Sequence, residues 1–250
     1  MEDVTQVRPG VHLVHGSDTN WVILTEGDAV TLVDTGYRND RDQLIASLEA
    51  VGRRPEDLAA ILITHAHADH IGSARHLGET YDVPVLMHPG EVPHARREFL
   101  HQVTPGQILR NSWRPGVVPW ARRVIRSGGT ADVRVPRAEA FPDLPDPLEP
   151  LDLPGRPVPV HTPGHTGGHC AYHLPQAGVL ITGDALVTGH PTSRVRGPQL
   201  LPSMFQHDWD GALGALRVMG ALEADVLLPG HGPAHDGSPA AATEQARRAA

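Results

Sequence analysis

The chain has 250 residues, 40% hydrophobic and 20% charged, a balance that excludes a disordered chain and can bury a core as one large domain or two small ones. Its formal net charge of -8 at pH 7 argues against nucleic acid or an anionic membrane as the main partner, because both attract basic surfaces. A lone cysteine, Cys170, excludes an intrachain disulfide and a four-cysteine zinc site.

All 21 basic residues are arginine, which reads as codon bias. Met1 to Gly10 lacks the apolar stretch of a secretory signal, and the longest apolar run, Leu58–Ile63, is too short to cross a membrane, so the cytoplasm is the expected compartment. Histidine is the anomaly. There are 17, many in short loops beside glycine or proline, and histidine is both the commonest metal ligand and the usual general base near neutral pH.

In chain order, the aliphatic and β-branched runs Val11–His15, Trp21–Thr25 and Ala29–Val33 read as short strands separated by turn residues. A helix follows, capped by Asn39 or Asp40, with Leu44, Ile45, Leu48 and Val51 on one stripe and Gly52 past its end. Leu58–Ile63 reads as a buried strand. A short helix from about Ile71 to Gly78 leads to a strand at Val83–Met87. Residues 91–130 break this rhythm with seven arginines between Arg96 and Arg126, opposed only by Glu98, and with Trp113 and Trp120. The segment is expected to be a helical insertion, lying over the site as a lid or standing as a solvated helix pair or interface. Eight prolines in 136–159 predict an extended connection. Strands at Val158–His161, Cys170–Leu174 and Val179–Thr182, a helix from Asp208 to about Leu222, a strand at Val226–Leu228 and a helix from about Pro239 complete the chain. The order of elements, strands then helices and then the same again, suggests two sheets packed together with helices outside.

Residues two apart on an extended chain point the same way, so His65 and His67 at the end of a buried strand can reach one metal ion. The turn into the next helix redirects Asp69 and His70 to a second position nearby. Three more polar residues sit beside glycine at the ends of apolar strands: His165 in Pro163-Gly164-His165, Asp184 after Gly183, and His231 in Pro229-Gly230-His231-Gly232. Four such segments in one chain form a pattern that none of them makes alone.

With these segments the sequence resembles the metallo-β-lactamase superfamily. The motif reads Thr64-His65-Ala66-His67-Ala68-Asp69-His70, then His165, Asp184 and His231 in the expected order, with Leu32-Val33-Asp34-Thr35-Gly36 similar to that superfamily's early motif. The resemblance spans residues 11–235. It implies a four-layer αββα sandwich of the α/β (α+β) class, a single domain over 1–250 with 91–130 inserted. It also implies that His65, His67 and His165 bind one metal, that Asp69, His70 and His231 bind the other, and that Asp184 bridges them. Asp34 and His169 are expected behind the ligands, orienting them. Cys170 reads as a small buried residue at a strand start.

Two divalent ions about 3.5–4 Å apart can share a hydroxide of lowered pKa, so the resemblance implies attack of that hydroxide on an acyl carbonyl, with Asp69 orienting the nucleophile or moving its proton. Zinc is the first choice, and iron or manganese suits the same nitrogen and oxygen donors. The pattern is nearer to glyoxalase II-like thioesterases and lactonases than to true β-lactamases, many of which place a cysteine at the second metal. Nineteen residues follow His231, where glyoxalase II carries a glutathione-binding domain, and Ala185, Leu186 and Val187 follow Asp184, where lactonases of acyl-homoserine lactones carry a tyrosine nearby. The expectation is therefore a hydrolase of small-molecule esters, thioesters or lactones, with Arg194 and Arg196, or the 96–126 cluster, gripping a substrate carboxylate or phosphate. The competing readings are a mononuclear iron oxidoreductase resembling persulfide dioxygenases, a nuclease, a β-lactamase and a non-catalytic metal binder. The oligomeric state is not legible in the sequence.

Overall fold

The computed structural model describes residues 3–142 and 149–250. The first of its two sheets runs in chain order: β1 (Val4–Arg8), β2 (Val11–His15), β3 (Asn20–Glu26), β4 (Ala29–Val33), β5 (Leu58–Leu62), β6 (Val85–Met87) and β7 (Ala138–Ala140). The pairs from β1 to β4 are antiparallel, and those from β4 to β7 are parallel. The second sheet has the spatial order β12 (His235–Asp236), β11 (Val226–Pro229), β10 (Val179–Gly183), β9 (Cys170–Leu174) and β8 (Val158–His161). Among the described residues the helices are α1 (Arg41–Ala50), α2 (Ala74–Tyr81), α3 (Val92–Ala95), α4 (Pro105–Arg110), α5 (Val117–Arg126), α6 (Trp209–Gly220) and α7 (Pro239–Ala249). None of them is long and apolar enough to cross a membrane.

The period-two alternation of strands sorts the core into three slabs. In β5, Ile61 faces α1 and α2 with Leu44, Leu48 and Leu77, while Leu62 points the other way, toward the second sheet. In β10 and β11, Ile181 and Leu228 face the first sheet, while Leu180 and Leu227 face α6 and α7 with Leu216, Met219 and Ala246. Helices, sheet, sheet and helices follow one another, which is the αββα order. Because both faces of the central strands are covered, their sequences are continuously apolar rather than alternating.

The sequence leaves β1, β7 and β12 unassigned. All three are short edge or near-edge strands carrying polar residues, so their pairing comes from the neighbouring strand rather than from their own pattern. The helix expected at Ile71–Gly78 begins three residues later, at Ala74. Ile71 to Ser73 are held out of the helix by the site: Thr35 N–H donates to His70 O at 2.7 Å, and Gly72 N–H donates to Gly36 O at 2.9 Å. Gly72 lies so close to that turn that a Cβ would sit 2.3 Å from the Tyr37 carbonyl carbon. The extended connection expected over 136–159 lies outside the described residues at 143–148 and is non-helical on either side of them. The insertion at 91–130 is helical in α3, α4 and α5. Trp113 is exposed, but Trp120 is buried.

At the C-terminal end of β5 the two sheets are hydrogen-bonded across the sandwich. Cys170 N–H donates to Thr64 O at 2.9 Å, and Tyr172 OH donates to Ile63 O at 2.8 Å. Leu62 sits immediately before this junction and is fully buried. Leu62→Ala should cost about 2–5 kcal/mol in urea unfolding, and a loss below about 1 kcal/mol would contradict the inter-sheet packing.

Candidate metal centre

Four loops converge at this edge of the sandwich: the turn after β5 with His65, His67, Asp69 and His70; the turn between β8 and β9 with His165; the end of β10 with Asp184; and the end of β11 with His231. Their ligand atoms group into three sets, each within 4.8 Å: His65, His67 and His165; His65, His70 and Asp184; and Asp69, His70 and His231. All seven sequence-predicted residues are thus brought together. Asp184 lies between the two halves, with Oδ2 3.4 Å from His165 Nε2 and 3.1 Å from His231 Nε2, and Oδ1 3.6 Å from His70 Nε2. Gly230 lets the last loop come this close, since a Cβ there would lie 2.2 Å from Asp184 Oδ1.

The hydrogen bonds behind the ligands decide where their lone pairs point. Asp34 Oδ1 accepts from Thr64 N–H at 2.8 Å, and its Oδ2 accepts from Thr64 Oγ1–H at 2.7 Å and from His70 Nδ1–H at 2.8 Å. The Thr64 hydroxyl has spent its only proton on Asp34, so at 3.0 Å it accepts from His65 Nδ1–H. A neutral His65 therefore has a bare Nε2. On the other side His67 Nε2–H donates to the carbonyl of His101, leaving Nδ1 bare. These two bare nitrogens lie 3.0 Å apart, and His165 Nε2 is also 3.0 Å from His67 Nδ1. Two nitrogens on one zinc at 2.0–2.1 Å would stand about 3.3 Å apart, so the donor set fits a cation placed among them. His70 Nε2 and Asp184 Oδ1, both buried, have no hydrogen-bond partner among the described residues, which fits the second position.

Electrostatics divide the site in the same way. Burial and the surrounding histidines push His65 and His165 well below the usual histidine range, and burial with neighbouring His94 brings His67 to about 4. These three are neutral at pH 7, as ligation requires. At His70 burial opposes the charge, but Asp34, Asp184 and Asp69 outweigh it and raise the imidazole to about 10, so the same carboxylates favour positive charge here and a cation at Nε2 would displace the ring's proton. His231 is raised by Asp184 and Asp69 against the same burial. Asp184 is held well below the carboxylate range by His231 and His70, although burial pulls it upward.

Asp34 has a left-handed backbone at φ 63°, a conformation that asparagine and aspartate tolerate best among residues with a Cβ. His169 is buried beside His65. Its Nε2 accepts from Asp184 N–H at 3.0 Å while Nδ1–H donates to Thr162 Oγ1 at 2.8 Å, so it fixes the Asp184 backbone. Burial brings His169 to about 4 and keeps it in this neutral form.

Three residues outside the sequence motifs hold the loops. Glu91, buried, accepts from Ala66 N–H at 2.8 Å, Gly168 N–H at 3.1 Å, Thr166 Oγ1–H at 2.5 Å and His94 Nδ1–H at 2.9 Å, which ties the His65–His67 turn to the His165 turn. His94 Nε2 accepts from His101 N–H at 3.3 Å, so the residue whose carbonyl fixes His67 is itself anchored to Glu91. Asn20 Nδ2 donates to Pro229 O at 2.8 Å and to Gly232 O at 2.7 Å, clasping the His231 turn. The surplus of histidine pointed to His94 and His101 only as a class, and Glu91 in Pro89-Gly90-Glu91 resembles any turn acid.

A cavity of about 680 Å³ opens over the ligands, walled by α4, α5 and Phe205 and reached by His67, Asp69, His165, Asp184 and His231. His190, missed by the sequence reading, lines it; burial and His231 bring its imidazole to about 3. Arg194 and Arg196 are exposed and do not line this cavity. Their loop is turned outward by Gln199, whose Nε2 donates to Val195 O and Gly197 O and whose Oε1 accepts from Ser193. Within the 96–126 cluster, Arg97 donates to Ala66 O and His94 O, Arg96 to Ala138 O, and Arg123 to Asp18. These three guanidinium groups brace the insertion, while Arg122 of the same cluster lines the cavity.

Two tests follow from the network. Asp34→Asn should weaken metal affinity about 10–100-fold, measured by competition with a chelating dye, because the bond to His70 loses its charge. Glu91, lowered to about 2 by its donors against burial, stabilises the fold fully above about 4.5 and loses that contribution as the pH falls toward 2. Glu91→Gln should therefore cost about 3 kcal/mol at pH 7 and flatten acid unfolding between those limits; equal acid profiles would contradict the network.

Comparison with known proteins gives the same frame. The metallo-beta-lactamase superfamily profile matches residues 16–231. The probable metallo-hydrolase YflN of Bacillus subtilis is 28% identical over 228 residues, covering 83% of this chain and 77% of that protein. A hydroxyacylglutathione hydrolase of Gloeobacter violaceus is 28% identical over 233 residues, covering 86% and 73%. The solved structure of TTHA1623 in a di-iron-bound form is 25% identical with a TM-score of 0.55, covering 90% of this chain and 92% of that one. The profile covers most of the chain and all seven converging candidate ligands, and the chain belongs to the metallo-beta-lactamase superfamily.

Proposed function

We propose that the protein is a dinuclear metal-dependent hydrolase acting on the carbonyl of a small-molecule ester, thioester or lactone. The observation that carries this reading is the 3.0 Å approach of two bare ring nitrogens, His65 Nε2 and His67 Nδ1, beside a second set of unpartnered donors at His70 and Asp184. His65, His67 and His165 would hold one ion, Asp69, His70 and His231 the other, and Asp184 would lie between them. Such a pair supplies hydroxide at neutral pH and polarises a carbonyl oxygen.

The chain's own residues prepare the reaction around that chemistry. Asp34 and the His101 carbonyl fix the tautomers of His70 and His67, so that the correct nitrogens face inward. Asp69 is the most accessible carboxylate of the set, with its side chain 18% exposed, and it lines the cavity, where it can orient a nucleophile and accept its proton. The apolar wall lowers the local dielectric and strengthens each of these interactions. The likeness to a hydroxyacylglutathione hydrolase supports an acyl carbonyl as the target. Zinc is the proposed metal because hydrolysis demands no redox change, and the likeness to a di-iron protein makes iron the competing assignment.

The test is an assay of purified, metal-quantified protein against matched ester, thioester, lactone and β-lactam substrates, with oxygen uptake on a persulfide run beside it. Turnover of a carbonyl substrate should fall about a hundredfold or more in Asp184→Asn and His67→Ala. Oxygen consumption without hydrolysis, or full activity and full metal content in His67→Ala, would overturn the reading.

A further inference from the structure

Resting on that reading, we infer that the substrate carries a long apolar chain next to the bond that is hydrolysed. The cavity of about 680 Å³ over the candidate ligands is lined mainly by apolar side chains. Volumes of roughly 300–1,000 Å³ enclose ligands of drug size, far more than an acetyl or lactoyl group requires. Away from the ligands its walls are Val103, Ile108, Leu109, Val124 and Ile125, and Trp120 packs edge-on against Phe205 with ring centroids 5.2 Å apart. The wall also carries Gln102, Ser112, Arg122 and Thr130, but apolar side chains predominate, so a sugar or peptide spread along it would lose more hydration than those few groups return. Among the described residues Arg97 and Arg122 also line the cavity; Arg97 already donates to two backbone carbonyls, and Arg122 is the remaining cation on the wall.

The exposed surface tells the same story. Eight large apolar side chains are exposed among the described residues, and only Val195 and Val218 lie outside the stretch from Phe99 to Ile125. Leu109 is 76% exposed and Ile125 60%, and both also line the cavity. Helices that lay their apolar faces along an open cavity leading to the ligands, instead of into a core, provide a path for a chain. An alkyl chain gains by burial at each carbon and needs no partner, which matches the size of the cavity and its mainly apolar lining.

The experiment varies chain length in two arms with neutral substrates: esters with acyl groups from acetyl to decanoyl, and acetates with alkyl leaving groups from ethyl to decyl. In at least one arm kcat/KM should rise threefold to fourfold per methylene until the cavity is filled, equivalent to about 0.8 kcal/mol per carbon. Leu109→Asp and Ile125→Asp, at exposed positions where the fold should stand, should flatten that slope. Val218→Asp, exposed on α6 away from the cavity, should leave it intact. Calorimetry with N-decylacetamide against N-ethylacetamide reads the same preference without turnover, and the longer amide should bind at least tenfold more tightly. Carbonyl turnover with flat slopes in both arms and equal amide affinities would overturn the inference and leave the hydrolase standing. Selective decyl binding with no turnover of any carbonyl would keep the chain site and overturn the hydrolase.

Discussion

Two imidazole nitrogens with no proton between them stand 3.0 Å apart at the end of β5, and most of the surrounding structure exists to keep them there. Left to themselves, two lone pairs at that distance repel. His65 cannot turn away because its other nitrogen is bound to Thr64, and His67 cannot because its other nitrogen is bound to the His101 carbonyl. A cation between them turns the repulsion into two bonds. Burial removes the alternative of protonation, since both imidazoles are pushed below the range in which they would charge at neutral pH.

The fold provides this constraint through tethers between loops rather than through the strands alone. Asp34, at the end of β4, reaches Thr64 and His70 together, so one carboxylate sets the first and second halves of the site. Glu91 joins the His67 turn to the His165 turn, and Asn20 joins β3 to the His231 turn. The αββα stack makes such reach possible because its parallel strands β4, β5, β10 and β11 all deliver their C-terminal ends to one edge. The insertion then covers that edge with α4 and α5 and gives an apolar approach to a polar floor.

What was legible in the sequence followed from local pattern. The central strands and α1, α6 and α7 announce themselves through apolar runs, and the ligand motif through dense polar residues beside glycine at strand ends. The cap expected of Asn39 or Asp40 on α1 is not made, because Asn39 donates to Arg126 O and Asp40 accepts from Tyr37 N–H. Edge strands β1, β7 and β12 carry no such signal, because their pairing is supplied by neighbours. Glu91, His94 and Asn20 could not be found by spacing, since each acts on residues distant in the chain and looks locally like a turn or strand residue. The arginines of 96–126 are told apart only by geometry, for a related reason. Composition shows that they are many, but only geometry shows that Arg96, Arg97 and Arg123 are occupied by carbonyls and by Asp18.

The central claim is that these donors form two adjoining cation sites, and a metal titration of chelator-treated protein followed by calorimetry and thermal unfolding tests it most directly. The account predicts two zinc ions per chain and a Tm raised on the order of 10 °C at a thousandfold excess over Kd. A stoichiometry of one or none, or a Tm that does not move with metal, would contradict it.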